Sequence, residues 1–285
     1  TQDLKNQINH KTKAIIPVHM AGAAYNMKMI NVISKNKKIP IIEDCAHAFG
    51  GRYPDGSMVG SCKYSDMAVF SFHPVKTITT GEGGIITTNN KRLYQKLIML
   101  RSHGINKLKT NFLNKKNAYT NKRINPWYYE MREIGYNYRI TDIQSSLGIS
   151  QLKKINKFMN ERKKISYLYD KYFEKIPNIK VSQLDMRNFS SNHLYIIKVN
   201  FKKLNKTKEQ FISYLRKKKI ICQVHYIPIV LHPYYAKKGF KLRNFPNAKK
   251  YYEECVSIPC YYGLTMSNQI FVIKSNKNFF KKKKN

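Results

Sequence analysis

Acidic residues are scarce in this chain, in which 16 Asp and Glu stand against 53 Lys and Arg among 285 residues and leave a formal net charge of +37. A charge of this size suggests a nucleic acid or another anionic partner. The basic residues are nevertheless spread along the chain, and only 281–284 form a block. No recognised nucleic-acid-binding motif accompanies them. We therefore keep a non-catalytic nucleic-acid-binding protein only as an alternative from a different class of function.

Long apolar runs and paired cysteines are also missing. No run reaches the length that a transmembrane helix requires, and the polar N-terminus does not resemble a signal peptide. The five cysteines are odd in number and form no C-x-x-C pair, so neither a zinc cluster nor a disulfide framework is indicated. We expect a cytoplasmic protein with no metal and no membrane contact. The chain begins without an initiator Met, which indicates a fragment or a processed chain.

Two stretches stand out, IIEDCAHAFG at 41–50 and DMAVFSFHPVKTITTGEGG at 66–84. The second predicts a buried strand over 67–72, a polar turn that carries Lys76, and another strand over 84–88. The first predicts a strand at 40–42 that ends in two acids, Glu43 and Asp44. Because α/β proteins bind ligands beyond the carboxyl ends of their strands, we expect lysine and carboxylate to face one site.

The rest of the chain alternates strands and helices, which predicts an α/β fold. A strand at 14–18 and a helix capped by Asn26 precede the strand at 40, a βαβ unit that implies a parallel sheet. We expect a large sheet domain over 1–155 and a smaller α+β domain over 156–285. The remaining predicted segments are helices at 90–102, 141–175, 207–218, 245–255 and 266–280, strands at 193–200 and 220–225, and a long loop at 104–123.

A lysine in such a turn can be a phosphate contact, a surface charge or a Schiff-base nucleophile, and its position alone does not decide. An acid at a neighbouring strand end favours pyridoxal phosphate (PLP), which needs a lysine imine and an acid for its ring nitrogen. Ser71 offers a hydroxyl for the cofactor phosphate, and His47 can stack on or hydrogen-bond the ring. The structural alternatives are a turn cap for Asp44, a structural histidine for His47 and a backbone hydrogen bond for Ser71.

Three motifs carry a family resemblance: EDCAHAFG at 43–50, VGSCKYSDMAVFSFHPVKTITTGEGG at 59–84 and GYNYRITDIQSSLG at 135–148. They resemble the DegT-type (DegT/StrS) sugar-nucleotide aminotransferases. PWYYEM at 126–131 and QVHYIPI at 223–229 resemble the branch that aminates UDP-4-keto-6-deoxy-N-acetylglucosamine in pseudaminic acid biosynthesis. The resemblance implies a fold-type I PLP enzyme with a mostly parallel large domain, incomplete here at its N-terminus. It also implies a homodimer, a UDP-sugar substrate and an amino-acid donor, with glutamate expected. A 3-keto sugar is the alternative acceptor.

By motif position, the resemblance implies that Lys76 holds the cofactor and moves the proton. It pairs Asp44 with the pyridine nitrogen, His47 with the ring and Ser71 with the phosphate. Lysine at this position also favours amino transfer, because related dehydratases carry histidine there.

Further implied residues lie outside these two stretches. Asn137 would reach the phosphate of the neighbouring subunit's cofactor, while His225 and Tyr226 would lie near the sugar-nucleotide entrance. The aromatic segment at 126–139 is either core filling or an interface. Family members also carry an N-terminal segment with a Gly-Ser/Thr phosphate cup and a stacking aromatic, and neither is found here. We therefore expect weak cofactor binding and little activity from this chain alone.

Overall fold

The computed structural model describes residues 2–24, 26–106 and 112–280. The helices are α1 Gln2–Gln7, α2 Met27–Lys37, α3 Lys91–Arg101, α4 Lys115–Ala118, α5 Asp142–Leu152, α6 Ile155–Phe173, α7 Lys208–Lys217, α8 Pro233–Ala236, α9 Pro246–Glu254 and α10 Met266–Phe280. The strands are β1 Ile42–Asp44, β2 Met67–Ser71, β3 Gly84–Thr87, β4 Ile105–Asn106, β5 Tyr119–Thr120, β6 Arg123–Ile124, β7 Glu130–Met131, β8 Ile179–Val181, β9 Tyr195–Val199 and β10 Cys255–Ile258.

The N-terminal sheet has the order β1-β2-β3, with β2 parallel to β1 and antiparallel to β3. Residues 14–18 run parallel to β1 through isolated bridges at Ile15 and Val18, so this predicted strand is present only as single bridges. Proline at position 17 has no N–H to donate, which limits a continuous ladder there. The βαβ unit, with α2 as its crossover helix, therefore has the predicted order.

Side-chain caps are present at the start of α3 and of α5. The side chain of Asn90 accepts from the N–H groups of Arg92 and Leu93, and Thr141 forms a reciprocal capping box with Gln144 at the start of α5. The prediction for Asn26 is wrong. Its backbone is left-handed, with φ 52°, and its side chain makes no capping hydrogen bond, so it turns the chain into α2 without satisfying the helix end.

The C-terminal sheet is antiparallel, in the order β10-β9-β8. Helices α6, α7 and α10 pack with it around a core that includes Tyr169, Phe173, Tyr195, Phe211 and Leu215, all fully buried. A buried ion pair, Arg187 Nε to Asp170 Oδ2 at 2.8 Å, lies beside this core, and the Tyr195 hydroxyl donates to Asp170 Oδ1 at 2.8 Å. The charged groups are therefore paired where water is excluded.

Some predicted segments were wrong. Residues 220–225 hold only an isolated bridge, Gln223 to Ser257, and the strand lies instead at β10, because the apolar run after α9 pairs with β9. The loop predicted at 104–123 contains β4, α4 and β5 among its described residues, while 107–111 lie outside them. The helical prediction at 141–175, which allows a break, is confirmed as α5 and α6, which are separated between Leu152 and Ile155.

The division into domains at 155 and 156 stays a prediction, although α6 begins at that point. Among the described residues, no helix is both long enough and apolar enough to span a membrane.

Candidate active site

The turn that carries Lys76 is closed by backbone hydrogen bonds at both ends. Phe72 N donates to Gly83 O at 2.8 Å and Thr80 N to Phe72 O at 3.0 Å, while Lys76 N donates to His73 O at 2.9 Å. Gly84 lies where a Cβ would come 2.6 Å from the Phe70 carbonyl oxygen, so only glycine lets β3 leave the turn this closely. The turn is thereby held at the carboxyl end of β2, where the sequence predicts it.

Asp44 and Glu43 have separate roles because successive side chains of a strand point to opposite faces. Asp44 is half-buried at the carboxyl end of β1, and its Oδ1 accepts from Ala46 N at 3.0 Å. Glu43 is fully buried on the other side and accepts from Tyr53, Ser65 and His19. Asp44 alone of the two acids is therefore available to a ligand.

The buried cluster around Glu43 brings ligand atoms of His19, Glu43 and Cys45 within 4.8 Å of one another. The Tyr53 hydroxyl lies 2.9 and 2.8 Å from the two Glu43 oxygens, and Ser65 and His19 each contact one of them as well. Burial and the neighbouring carboxylates of Glu43 and Asp44 raise the pKa of the Cys45 thiol, so the thiolate that a metal needs is disfavoured. This cluster is best explained as a hydrogen-bonded support beneath the Asp44 strand end.

His47 follows Asp44 in the loop after β1 and is 9% exposed. Its Nδ1 accepts from Ala21 N at 3.3 Å, and its Nε2 lies 3.1 Å from the Tyr226 hydroxyl. Burial, with the positive charge of Lys76 adding to it, lowers the pKa of His47 to about 4. The imidazole is therefore neutral at physiological pH.

The charges of Lys76 and Asp44 shift the pKa values of the groups around them. Burial lowers the pKa of the Lys76 amine, opposed by the nearby Asp44 carboxylate. Burial, and then the charge of Lys76, lowers the pKa of His225. Burial, and then the charge of Asp44, raises the pKa of the Tyr226 hydroxyl. A lysine amine whose pKa is lowered, close to a carboxylate, is an arrangement that suits a carbonyl-binding nucleophile.

Ser71 and Asn137 have less defined surroundings. Ser71 is half-buried at the end of β2, and its Oγ accepts from His73 N at 3.3 Å, which leaves its O–H free to turn towards a ligand. Asn137 is exposed and joined to Ser102 by an isolated bridge, and no described contact links it to Lys76. The roles assigned to both residues stay predictions.

His193 is a site residue that the sequence analysis missed. It lies just before β9, is 4% exposed, and its ring centroid is 4.6 Å from that of His47. Its local signal, one histidine ahead of an apolar strand, is typical of a structural residue, and only the folded chain brings it to His47.

A cavity of about 690 Å³ is lined by residues that include Met20, Gln183, Lys198 and Tyr251. None of Asp44, His47, Ser71 and Lys76 lines it. The candidate site lies instead beyond the carboxyl ends of β1 and β2, where α/β proteins bind ligands and where Asp44 and Lys76 come together.

Comparisons with known proteins identify the family. The DegT/DnrJ/EryC1/StrS aminotransferase family matches residues 1–276. The chain belongs to this family. A UDP-4-amino-4,6-dideoxy-N-acetyl-beta-L-altrosamine transaminase of Campylobacter jejuni is 39% identical over 261 residues, which are 91% of this chain and 63% of the relative. The spore coat polysaccharide biosynthesis protein SpsC of Bacillus subtilis is 32% identical, over 98% of this chain and 69% of its own.

Solved structures give the same result. Helicobacter pylori PseC, an aminotransferase of pseudaminic acid biosynthesis, has a TM-score of 0.84 and 32% identity, over 97% of this chain and 69% of its own. A Streptococcus pneumoniae protein solved in its PLP form has a TM-score of 0.82 and 28% identity, over 97% of this chain and 70% of its own. The expected family, α/β fold-type I architecture and PLP dependence are confirmed.

The residues present fit this cofactor at one end. The Lys76 amine has a lowered pKa, the Asp44 carboxylate is close enough to act on it, and the neutral ring of His47 lies beside them. They are a nucleophile for the aldehyde of the cofactor, an acid for its ring nitrogen and an aromatic ring to contact its pyridine ring.

Proposed function

We propose that this protein transfers an amino group from an amino acid, glutamate, to the 4-keto carbon of a UDP-linked 4-keto-6-deoxy-N-acetylhexosamine. The donor leaves as the corresponding 2-keto acid, and the sugar ketone carbon gains the amine. The observation that carries the proposal is that Asp44, at the end of β1, lies close enough to the turn after the neighbouring parallel strand β2 for its carboxylate to act on the Lys76 amine. The Campylobacter jejuni transaminase supports the choice of sugar.

Pyridoxal phosphate, when bound, supplies an electron sink for the carbon that loses or gains a proton. Under the proposal, Lys76 Nζ holds the cofactor covalently and then moves that proton, which its lowered pKa favours. The Asp44 carboxylate keeps the ring nitrogen protonated, and His47 contacts the ring. The free O–H of Ser71 donates to the phosphate.

The substrate end of the site is assigned to His225 and Tyr226. His225 is half-buried, with Nδ1 2.7 Å from Ser257 Oγ, while Tyr226 is 54% exposed and therefore accessible from solvent. A hydroxyl at this position can donate to a sugar or phosphate oxygen. The net charge of +37 favours the approach of an anionic UDP-sugar.

We also infer a cytoplasmic homodimer. All five cysteines are free thiols, which suits a reducing compartment. Trp127 is 75% exposed and Tyr138 71%, so the aromatic segment at 126–139 is not core filling and fits the interface alternative. Asn137 lies in this segment, where it would reach the partner's cofactor.

Trapping of the cofactor tests the lysine assignment. The protein is incubated with excess pyridoxal phosphate and reduced with borohydride, and its peptides are mapped by mass spectrometry. We expect the cofactor mass on Lys76 and its absence in Lys76→Ala, whereas Lys91→Ala, at an exposed position, keeps it. Labelling that is equal in both variants would reject the site.

Substrate assays test the sugar assignment separately. The protein receives glutamate with either a 4-keto or a 3-keto UDP-sugar, and the position of the new amine is determined by NMR. We expect amination at carbon 4. Amination at carbon 3 alone would overturn the substrate while leaving the Lys76 chemistry intact.

A further inference from the structure

Hydrogen bonds to both its N–H and its C=O hold the main chain of His193 in place. His193 N donates to Ala21 O at 3.1 Å, and His193 O accepts from Nη1 of the buried Arg162 at 3.0 Å. The same Arg162 Nη1 donates to Cys260 O at 2.8 Å. The main chain of His193, which leads into β9, is therefore held to the loop after residue 18 and to α6.

The neighbour of that ring is His47. The two rings are 4.6 Å apart between centroids and inclined by 39°. The adjacent Ser191 adds a backbone contact, since its Oγ donates to His47 O at 2.6 Å. Two residues of the segment 190–193 thus hold the main chain and the side chain of His47 at once.

The hydrogen bonds of His47 define its tautomer. The backbone N–H of Ala21 can only donate, so Nδ1 of His47 must carry a lone pair. The proton of the neutral ring is then on Nε2, which donates to the Tyr226 hydroxyl 3.1 Å away. The hydroxyl hydrogen of Tyr226 is then not used in this contact.

The surroundings keep both imidazoles neutral. Burial lowers the pKa of His193 far below its usual range, and His47, Arg162, Lys76 and His225 add to the effect. For His47, Lys76 and His225 act in the same direction as burial and only Asp44 opposes them. A second proton on either ring would leave a charge without an adequate partner.

We propose that His193 is a positioning residue whose ring fixes the orientation and the tautomer of the His47 imidazole, so that Nε2–H faces Tyr226. Within the described residues, Nδ1 of His193 is buried without a hydrogen-bond partner. The ring therefore acts by packing, and a flat side chain without nitrogens can replace it. The use of His47 by the cofactor rests on the proposed function, but the arrangement of the rings does not.

The test is histidine NMR on the chain without cofactor, with ¹⁵N-labelled imidazoles and His47→Gln for assignment. In the unmodified protein we expect His47 as a single Nε2–H tautomer that titrates near the pKa of about 4. In His193→Ala we expect a mixture of tautomers and a titration at least one pH unit higher. His193→Phe keeps the native signature, and so does His10→Ala, at an exposed position.

Two results would overturn the proposal. One is a His193→Ala variant with unchanged His47 tautomer and titration. The other is a folded His193→Phe variant that behaves like His193→Ala, since packing would then not be the cause. Circular dichroism establishes folding for each variant. Because no substrate or cofactor is present, failure here leaves the proposed aminotransferase activity untouched, and failure of that activity leaves this result standing.

Discussion

The two three-stranded sheets of this chain bury their strands to very different extents. In the C-terminal sheet all four residues of β10 are buried, as are four of the five in β9. In the N-terminal sheet β3 has no buried residue, and neither do α3 and α5, which follow it along the chain. Both regions have a buried core, but the N-terminal region also leaves β3, α3 and α5 exposed to their surroundings.

This difference separates what stabilises the chain from what it offers to a ligand or a partner. The C-terminal sheet is covered by α6, α7 and α10, so its energetics are those of an ordinary interior. The candidate site lies where the two regions meet, because His47 belongs to the first and His193 to the second. Substitutions at buried and at exposed positions should therefore change the free energy of unfolding by different amounts.

The largest effect is expected for Phe211→Ala in α7. Phe211 is fully buried and packs on Phe201, Phe279 and Phe280, so truncation should lower the free energy of unfolding by about 3–5 kcal/mol. Phe271→Ala in α10 is the matched control, since Phe271 is 48% exposed, and should cost about 1 kcal/mol or less. Urea unfolding followed by circular dichroism measures both. Equal losses would show that burial does not separate these positions.

A change of pH should have an intermediate effect on the free energy of unfolding, through His47, which lies where the two regions meet. The pKa of His47 is about 4 when folded against 6.5 ordinarily, so between these values the unfolded chain binds the extra proton. The contribution to stability is then complete above pH 6.5 and is lost as the pH falls towards 4, by about 1.4 kcal/mol per unit at most. His193 acts in the same direction.

Urea unfolding at pH 7 and pH 4.5 measures this loss, and His47→Gln isolates the histidine from the carboxylates that titrate in the same range. We expect the variant to lose less stability than the unmodified protein over this interval. An identical loss in both proteins would contradict a buried neutral His47.

Local sequence signals were sufficient for much of the fold. The strands that precede Asp44 and the Lys76 turn could be predicted from their apolar runs, and the starts of α3 and α5 from neighbouring residues, although the roles of Asp44 and Lys76 stay predictions. β10 could not, since its strand character comes from pairing with β9, some 60 residues earlier in the chain. His193 was missed as a site residue for the same reason, because it is brought to the site only by its contact with His47, which is far away in the sequence.

The smallest effect on stability is expected at the exposed strand β3. Ile86 is 43% exposed and pairs with Val69 of β2, so Ile86→Ser should change the free energy of unfolding of the single chain by about 0.5 kcal/mol or less. Ile197→Ser in β9, where the side chain is fully buried, is the matched control and should cost several times more. Urea unfolding at low protein concentration, with sedimentation velocity to establish the oligomeric state, measures both. A loss at Ile86 as large as at Ile197 would mean that another surface covers β3 in solution. The same loss appearing only as the protein concentration rises would identify that surface as a second copy of the chain, since mass action then couples folding to association.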